Sequence, residues 1–280
     1  MNKLTTAKRV AVVAALVEGN SVRSTARMTN VSKPTILKLL ADLGTACSAF
    51  HNATVRNIRA QRVQCDEIWQ FVGAKQKNVT PQQRAQGWGD LWTWTALDSD
   101  SKLIVSWFVG QRDPHSAWWF MRDLASRLIT RVQLTTDGLN AYLPAVERAF
   151  EGEIDYGQLV KMYGAQDREK VVRYSPARFV SARREVITGS PDMKHVSTSY
   201  VDRQNLSMRM GMRRFTRLTN AFSKKAENHA HAIALYFVHY NFAKIHGSLR
   251  VTPMAAGVAD HAWSLEELVM LFDKKTDVAA

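Results

Sequence analysis

The sequence predicts an α/β fold, a mixed sheet flanked by helices, preceded by an all-α helix-turn-helix segment. Three observations lead there. Residues 1–60 read as three helices with polar caps and no strand. From about residue 61 the order becomes strand, strand, strand, helix, strand, helix, strand, as in a sheet covered by helices. The 280 residues, 46% of them hydrophobic, are enough to bury a large core.

In the helical segment, Thr5 or Thr6 caps a first helix to Val17, ended at Gly19-Asn20. Ser21 caps a second helix to Met28, and Thr29-Asn30-Val31 makes the turn. Ser32 caps a third, with Pro34 in its first turn, where a missing N–H loses no bond. Ile36, Leu39, Leu40 and Leu43 form its apolar stripe, and Gly44 is expected to stop it.

Strands follow at Arg62 to Val72, Leu91 to Leu97 and Leu103 to Val109, the last two a hairpin around Asp98-Ser99-Asp100-Ser101. Asp113-Pro114 opens a helix to about Ile129. A strand at Val132 to Thr135, a helix from about Asn140 to Phe150 and a strand at Ile154 to Met162 complete the sheet. Seven of the eight tryptophans fall between Trp69 and Trp119 and are expected mostly in the core, with Trp88 a surface exception. Residues 163–198 break the periodicity and read as an inserted subdomain or a long DNA-facing loop. Helices are expected at Ser199 to about Arg217 and Ser223 to about Ile245. Ser264-Leu265-Glu266-Glu267 is a capping box for a last short helix, with residues 276–280 fraying.

Net charge is +13 and pI about 9.9, which favours a polyanionic partner. Residues 1–60 carry nine Lys/Arg against two acids, a balance of +7. No apolar run approaches the length of a spanning helix, so no membrane is expected. The two cysteines, Cys47 and Cys65, supply neither a disulfide framework nor a zinc module, and a reducing cytoplasm fits. The six histidines from His195 to His261 form no zinc signature, and no phosphate loop for ATP is present.

Three acids stand out: Asp66 in Cys65-Asp66-Glu67-Ile68-Trp69, Asp137 in Thr135-Thr136-Asp137-Gly138, and Asp202 in Tyr200-Val201-Asp202-Arg203-Gln204-Asn205. Carboxylates gathered from scattered elements are what a two-metal phosphoryl-transfer site needs. Each also has a plain structural reading: an edge-strand acid or ion pair for Asp66, an Asx-turn or cap for Asp137, and a dipole-satisfied helix start for Asp202. Glu67 is expected on the opposite strand face, unable to share a metal with Asp66. Seven Lys/Arg share residues 199–225 with Asp202 alone, and Asp202, Asn205, Arg209 and Arg213 fall on one helical face. In the helix-turn-helix geometry Lys33, Thr35 and Lys38 face DNA while Ile36, Leu39 and Leu40 face inward. A small three-helix cap is the alternative.

At these blocks, and at Val196 through Leu206, Arg213 to Arg217, Asn220 to Lys225, His239-Tyr240-Asn241-Phe242 and Thr252-Pro253-Met254, the chain resembles bacterial insertion-sequence-one family transposases of the DDE class. The resemblance spans roughly residues 60 to 272 and implies a ribonuclease-H-like catalytic domain over 61–272, with an insertion at about 163–198, behind a helix-turn-helix domain over 1–60. It implies Asp66, Asp137 and Asp202 as catalytic ligands of two Mg²⁺ (or Mn²⁺) ions. The family has Glu where this chain has Asp202. It also implies strand cleavage at insertion-sequence ends, strand transfer into target DNA, and a homo-oligomer assembled on DNA in the bacterial nucleoid. Arg209, Arg213 and Arg214 are candidates for phosphate contacts. The alternative is a non-catalytic DNA-binding protein, a regulator or a decayed transposase, and Glu227 is the reserve for the third ligand.

Overall fold

The computed structural model describes residues 4–164, 179–216, 219–253 and 256–277, the last four without their side chains. Helices α1 (Thr6–Val17), α2 (Val22–Thr29) and α3 (Lys33–Thr54) open the chain. Each is capped as the sequence predicts: the Thr5, Ser21 and Ser32 side chains accept from the backbone N–H of Lys8, Ser24 and Thr35. Gly44 does not end α3. A Cβ there would lie 2.5 Å from the Cβ of His231 on α8 (Ala226–Val238), so the glycine lets two helices touch. A glycine inside a helix costs about 1 kcal/mol relative to alanine, and the close approach of α8 is what the position gains in return.

Among the described residues six strands form one mixed sheet in the order β3-β2-β1-β4-β5-β6. They are β1 (Arg62–Val72), β2 (Gly89–Asp98), β3 (Ile104–Gly110), β4 (Gln133–Asp137), β5 (Asp155–Tyr163) and β6 (Phe179–Thr188). The β1–β2 and β2–β3 pairs are antiparallel, β1–β4 and β4–β5 parallel, and β5–β6 antiparallel. The β2–β3 turn is held by Asp98, whose carboxylate accepts from the backbone N–H of Asp100 and Ser101 at 3.2 Å each. Within residues 163–198, expected as an insertion or long loop, strand β6 pairs with β5. It is mostly exposed along its length, so it carries no buried-exposed alternation to read. Residues 165–178, with Pro176, lie outside the described residues.

Helices α4 (Pro81–Ala85), α5 (Pro114–Ala125), α6 (Tyr142–Phe150), α7 (Ser199–Gly211), α8 and α9 (Leu265–Asp277) complete the fold. Ser264 and Glu267 form the expected capping box of α9. Helix α7 stops at Gly211, and Met212 is extended, so Arg213 leaves the helical face of Asp202 and Asn205. Arg217, Met254 and residues 278–280 lie outside the described residues. Helix α8 ends at Val238 in a π-helical turn, His239–Ala243, whose Asn241 side chain bonds both backbone groups of Ile104.

One hydrophobic core runs from Val13, Val17, Leu40 and Leu43 of the first helices through the sheet to Phe237 and Leu268. A small second cluster, Val12, Val31, Ile36 and Leu39, stabilises the corner of the first three helices. The tryptophans are less buried than expected. Of the seven only Trp94 is fully buried, Trp119 is exposed, and Trp88 covers Gly73 rather than facing solvent. Four of them lie under cations: Trp69 under Lys75, Trp92 under Arg112, Trp118 under Arg148 and Trp119 under Arg122.

Candidate active site

The β1–β4 ladder pairs Arg62 with Gln133, Val63 with Leu134 and Gln64 with Thr135, then ends. The same offset of 71 residues puts Asp66 and Asp137 level with each other just beyond the last pair. The opening between the strands receives both acids. It also receives Glu67, against the expectation from strand alternation. One carboxylate oxygen from each of Asp66, Glu67 and Asp137 lies within 4.8 Å of the others. The physical reason is the end of the ladder: with no paired backbone between β1 and β4 here, a long Glu side chain turns into the gap. Tyr142 on α6 donates its hydroxyl to Glu67 Oε2 at 3.0 Å, and Arg112 donates Nε–H to Oε1 at 2.7 Å, holding it there.

Asp137 does make the turn its plain reading predicts. Its Oδ1 accepts from the backbone N–H of Leu139 at 3.0 Å. Its Oδ2 lies 3.7 Å from Arg112 Nη2, so one arginine spans two acids.

Helix α7 crosses the open end. Gln64, buried on β1, accepts from the backbone N–H of Tyr200 and Val201 at 2.8 and 3.2 Å, groups a helix start leaves without partners. This seats α7 so that Asn205 donates Nδ2–H to Asp66 Oδ2 at 2.7 Å. Asp202 lines the same cleft of about 550 Å³ with Asp66, Arg112, Asp137 and Lys161. It stands apart from the tight carboxylate trio: Lys161 Nζ pairs with Asp202 Oδ2 at 2.6 Å and Thr198 donates to the same oxygen. Glu227 is exposed at the start of α8 and does not line this cleft.

Negative charge is crowded here. Burial, then Glu67, Asp137 and Asp202, push the Asp66 carboxyl up to about 8. Burial and Asp137 also raise Glu67, against the opposing pull of Arg112 and Tyr142. Such crowding is what a divalent cation relieves, and an all-carboxylate donor set suits Mg²⁺ or Mn²⁺ rather than zinc. The residues therefore fit the metal that the sequence resemblance implies.

Of the candidate DNA contacts, Lys33, Thr35 and Lys38 are exposed on α3 while Ile36, Leu39 and Leu40 are buried. Lys38 pairs with Asp42 at 2.6 Å. Arg213 is exposed, while Arg209 and Arg214 are half-buried. Sequence reasoning missed Gln64, Glu67 as a member of the trio, Arg112, Lys161 and the role of Asn205. Asn205 stood on the right helical face, which was the one available signal.

No protein-family model matches this chain, and no curated protein does. Among solved structures, it is similar to a piggyBac transposase synaptic complex with hairpin DNA, at 13% identity over 98% of this chain and 72% of that one, with a TM-score of 0.45. A Mos1 transposase paired-end complex with the left transposon end aligns over 56% of this chain and 60% of its own, at 13% identity and TM-score 0.25. A Mos1 strand transfer complex aligns over 56% and 59%, at 14% identity and TM-score 0.25. Likenesses this loose identify neither a family nor an activity, and the functional reading rests on the geometry of the site.

Proposed function

We propose that this chain is a DNA transposase with a ribonuclease-H-like catalytic core, cutting DNA at insertion-sequence ends and joining the freed strand to target DNA. The observation that carries the reading is the meeting of Asp66, Glu67 and Asp137 at the open end of the β1–β4 ladder. The mixed sheet, with these acids on a central strand and its parallel neighbour, agrees with such a core. Asp66, Glu67 and Asp137, with Asp202 at the rim, would hold Mg²⁺ or Mn²⁺, and two such ions supply Lewis-acid stabilisation of the attacking and leaving oxygens at phosphorus.

The chain's own residues have separable tasks in this reading. Asn205 and Gln64 fix α7 against β1 and so fix the Asp66 carboxylate. Tyr142 and Arg112 orient Glu67. Arg112 and Lys161 present cations to a phosphate entering the cleft. Lys33, Thr35 and Lys38 on α3 contact element-end DNA from residues 1–60, and Arg209, Arg213 and Arg214 contact its backbone nearer the site. Two ends require two active sites, hence a homo-oligomer on DNA.

A second reading, DNA binding without catalysis, draws on one observation. Glu67 is already neutralised by Arg112 and Asp202 by Lys161, as in a structural ion network. The two readings separate in one assay. Purified protein is incubated with Mg²⁺ or Mn²⁺ and duplex DNA from the flanks of its gene. Nicks at fixed element ends support the transposase. Salt-dependent binding without nicking under either ion supports the second reading.

A further inference from the structure

A cavity of about 900 Å³ lies between the helix-turn-helix segment and residues 212–214 and 219–224. It shares no lining residue with the acidic cleft. Among the described residues five cations line it: Arg23 of α2, Lys33 at the start of α3, and Arg213, Arg214 and Lys224. No described Asp or Glu does. None of the five pairs with a carboxylate among the described residues.

Arg214 is the informative member. Its Nη1 donates to Ser223 Oγ at 3.0 Å. The same hydroxyl lies 3.0 Å from Nδ1 of His229, a buried imidazole pushed down to about 3 by burial and by Arg214. Neither neighbour brings negative charge. Arg214 keeps part of its surface toward the cavity, yet its charge is held away from bulk water, and desolvation alone lowers it to about 10. A desolvated guanidinium without a counter-charge is costly, and folded proteins pair such groups. No described residue supplies the matching anion, which leaves the cavity open to one from outside the chain.

The position of the cavity says which anion. Lys33 and Pro34 of its lining belong to the start of α3, the end of a recognition helix that a helix-turn-helix presents to a duplex. Ser223 of its lining is tied to the end of β1: it bridges Val72, and its carbonyl accepts from Gly73 N–H at 2.8 Å.

We propose that this cavity receives a phosphodiester group of duplex DNA, with Arg214 as its central anchor and Arg23, Lys33, Arg213 and Lys224 around it. The proposal rests on the DNA-binding part of the reading above and adds a backbone site that joins the helix-turn-helix segment to the end of β1.

The test uses the full chain and Arg214→Met, which keeps bulk and removes charge. Arg214→Met should unfold no earlier than the parent without DNA, because an unpaired buried charge is gone. Its affinity for a short duplex should fall roughly ten-fold near 0.1 M salt, and the slope of log K against log salt should drop by about one. Lys224→Ala, an exposed substitution that threatens no packing, should lower the slope similarly. Inorganic phosphate at matched ionic strength should stabilise the parent more than Arg214→Met, but less than the duplex does. Earlier unfolding of Arg214→Met together with an unchanged slope in Lys224→Ala would make Arg214 a structural residue and overturn the proposal. Stabilisation of the parent by inorganic phosphate as large as that by the duplex would make the cavity a free-anion site and overturn its DNA assignment. A parent that shows no salt-dependent DNA binding removes the underlying DNA reading as well. A parent that binds, beside variants that bind equally with the parent's slope, removes the cavity alone.

Discussion

Asn205 on α7 donates its side-chain N–H to Asp66 on β1 at 2.7 Å, across 139 residues of chain. This bond and the Gln64 bonds to the start of α7 decide where the Asp66 carboxylate points. Groups that orient a ligand carboxylate typically matter by 10- to 100-fold. Asn205→Ala should therefore lower Mg²⁺-dependent nicking by about one to two orders of magnitude, with the folded protein retained by circular dichroism. Nicking at the parent's rate would show that Asp66 is held by other means.

Glu67 provides a sharper comparison. It belongs to the trio and Asp202 stands outside it, so Glu67→Gln should cost more nicking activity than Asp202→Asn. Rates of both variants measured side by side decide this. The reverse order would restore Asp202 as the principal third ligand and reduce Glu67 to a partner of Arg112 and Tyr142.

Asp202→Glu should raise nicking. The added methylene carries the carboxylate from the Lys161 pair toward the trio, and a displacement of about 1 Å in such a site can change rate on the order of 100-fold. Nicking with Mg²⁺ and with Mn²⁺ is the measurement. Equal or lower rates would show that Asp202 already stands where it is needed.

The parts of this site that were legible in the sequence are those with a local signature. An acid inside an eleven-residue strand breaks a composition rule, and an acid at the C-terminal end of a strand stands where α/β sheets place ligands; both proved to face one opening. Capping residues placed α1, α2 and the start of α3 within a residue. What stayed illegible depends on distant partners. Glu67 enters the site because the β1–β4 ladder stops, and strand alternation argues the opposite. Gln64, Arg112 and Lys161 act on elements far away in sequence and follow no spacing rule. Gly44 looks like a helix stop, but its neighbour is His231, 187 residues later, which no local reading supplies.

That contact predicts a stability effect with a contested sign. Gly44→Ala gains up to about 1 kcal/mol of helix propensity. It also places a methyl 2.5 Å from His231 Cβ and 2.6 Å from its backbone oxygen. Backbone cannot swing aside as a side chain can, and overpacking of this kind costs typically 1–3 kcal/mol. Urea unfolding should show net destabilisation. A stabilised variant would mean that α3 and α8 lie farther apart.

Three buried histidines set an acid limit. Burial is the first cause of the depression in each: His51 and His229 go down to about 3 and His239 to about 4. The unfolded chain binds their protons near the ordinary value of 6.5, while the folded chain does not. Stability they leave intact above pH 6.5 is therefore lost as pH falls below it. Each contributes up to about 1.4 kcal/mol per pH unit in that range. His51→Gln isolates one share: its stability should fall less steeply than the parent's between pH 6.5 and 4. Parallel curves would show that His51 is protonated in the folded state.

The most direct measurement is Mn²⁺ titration of the purified chain followed by electron paramagnetic resonance, beside Asp66→Asn and Asp137→Asn. The parent should bind Mn²⁺ saturably and both variants should lose that binding, because the two carboxylates belong to one site. Binding retained undiminished in both variants would contradict it.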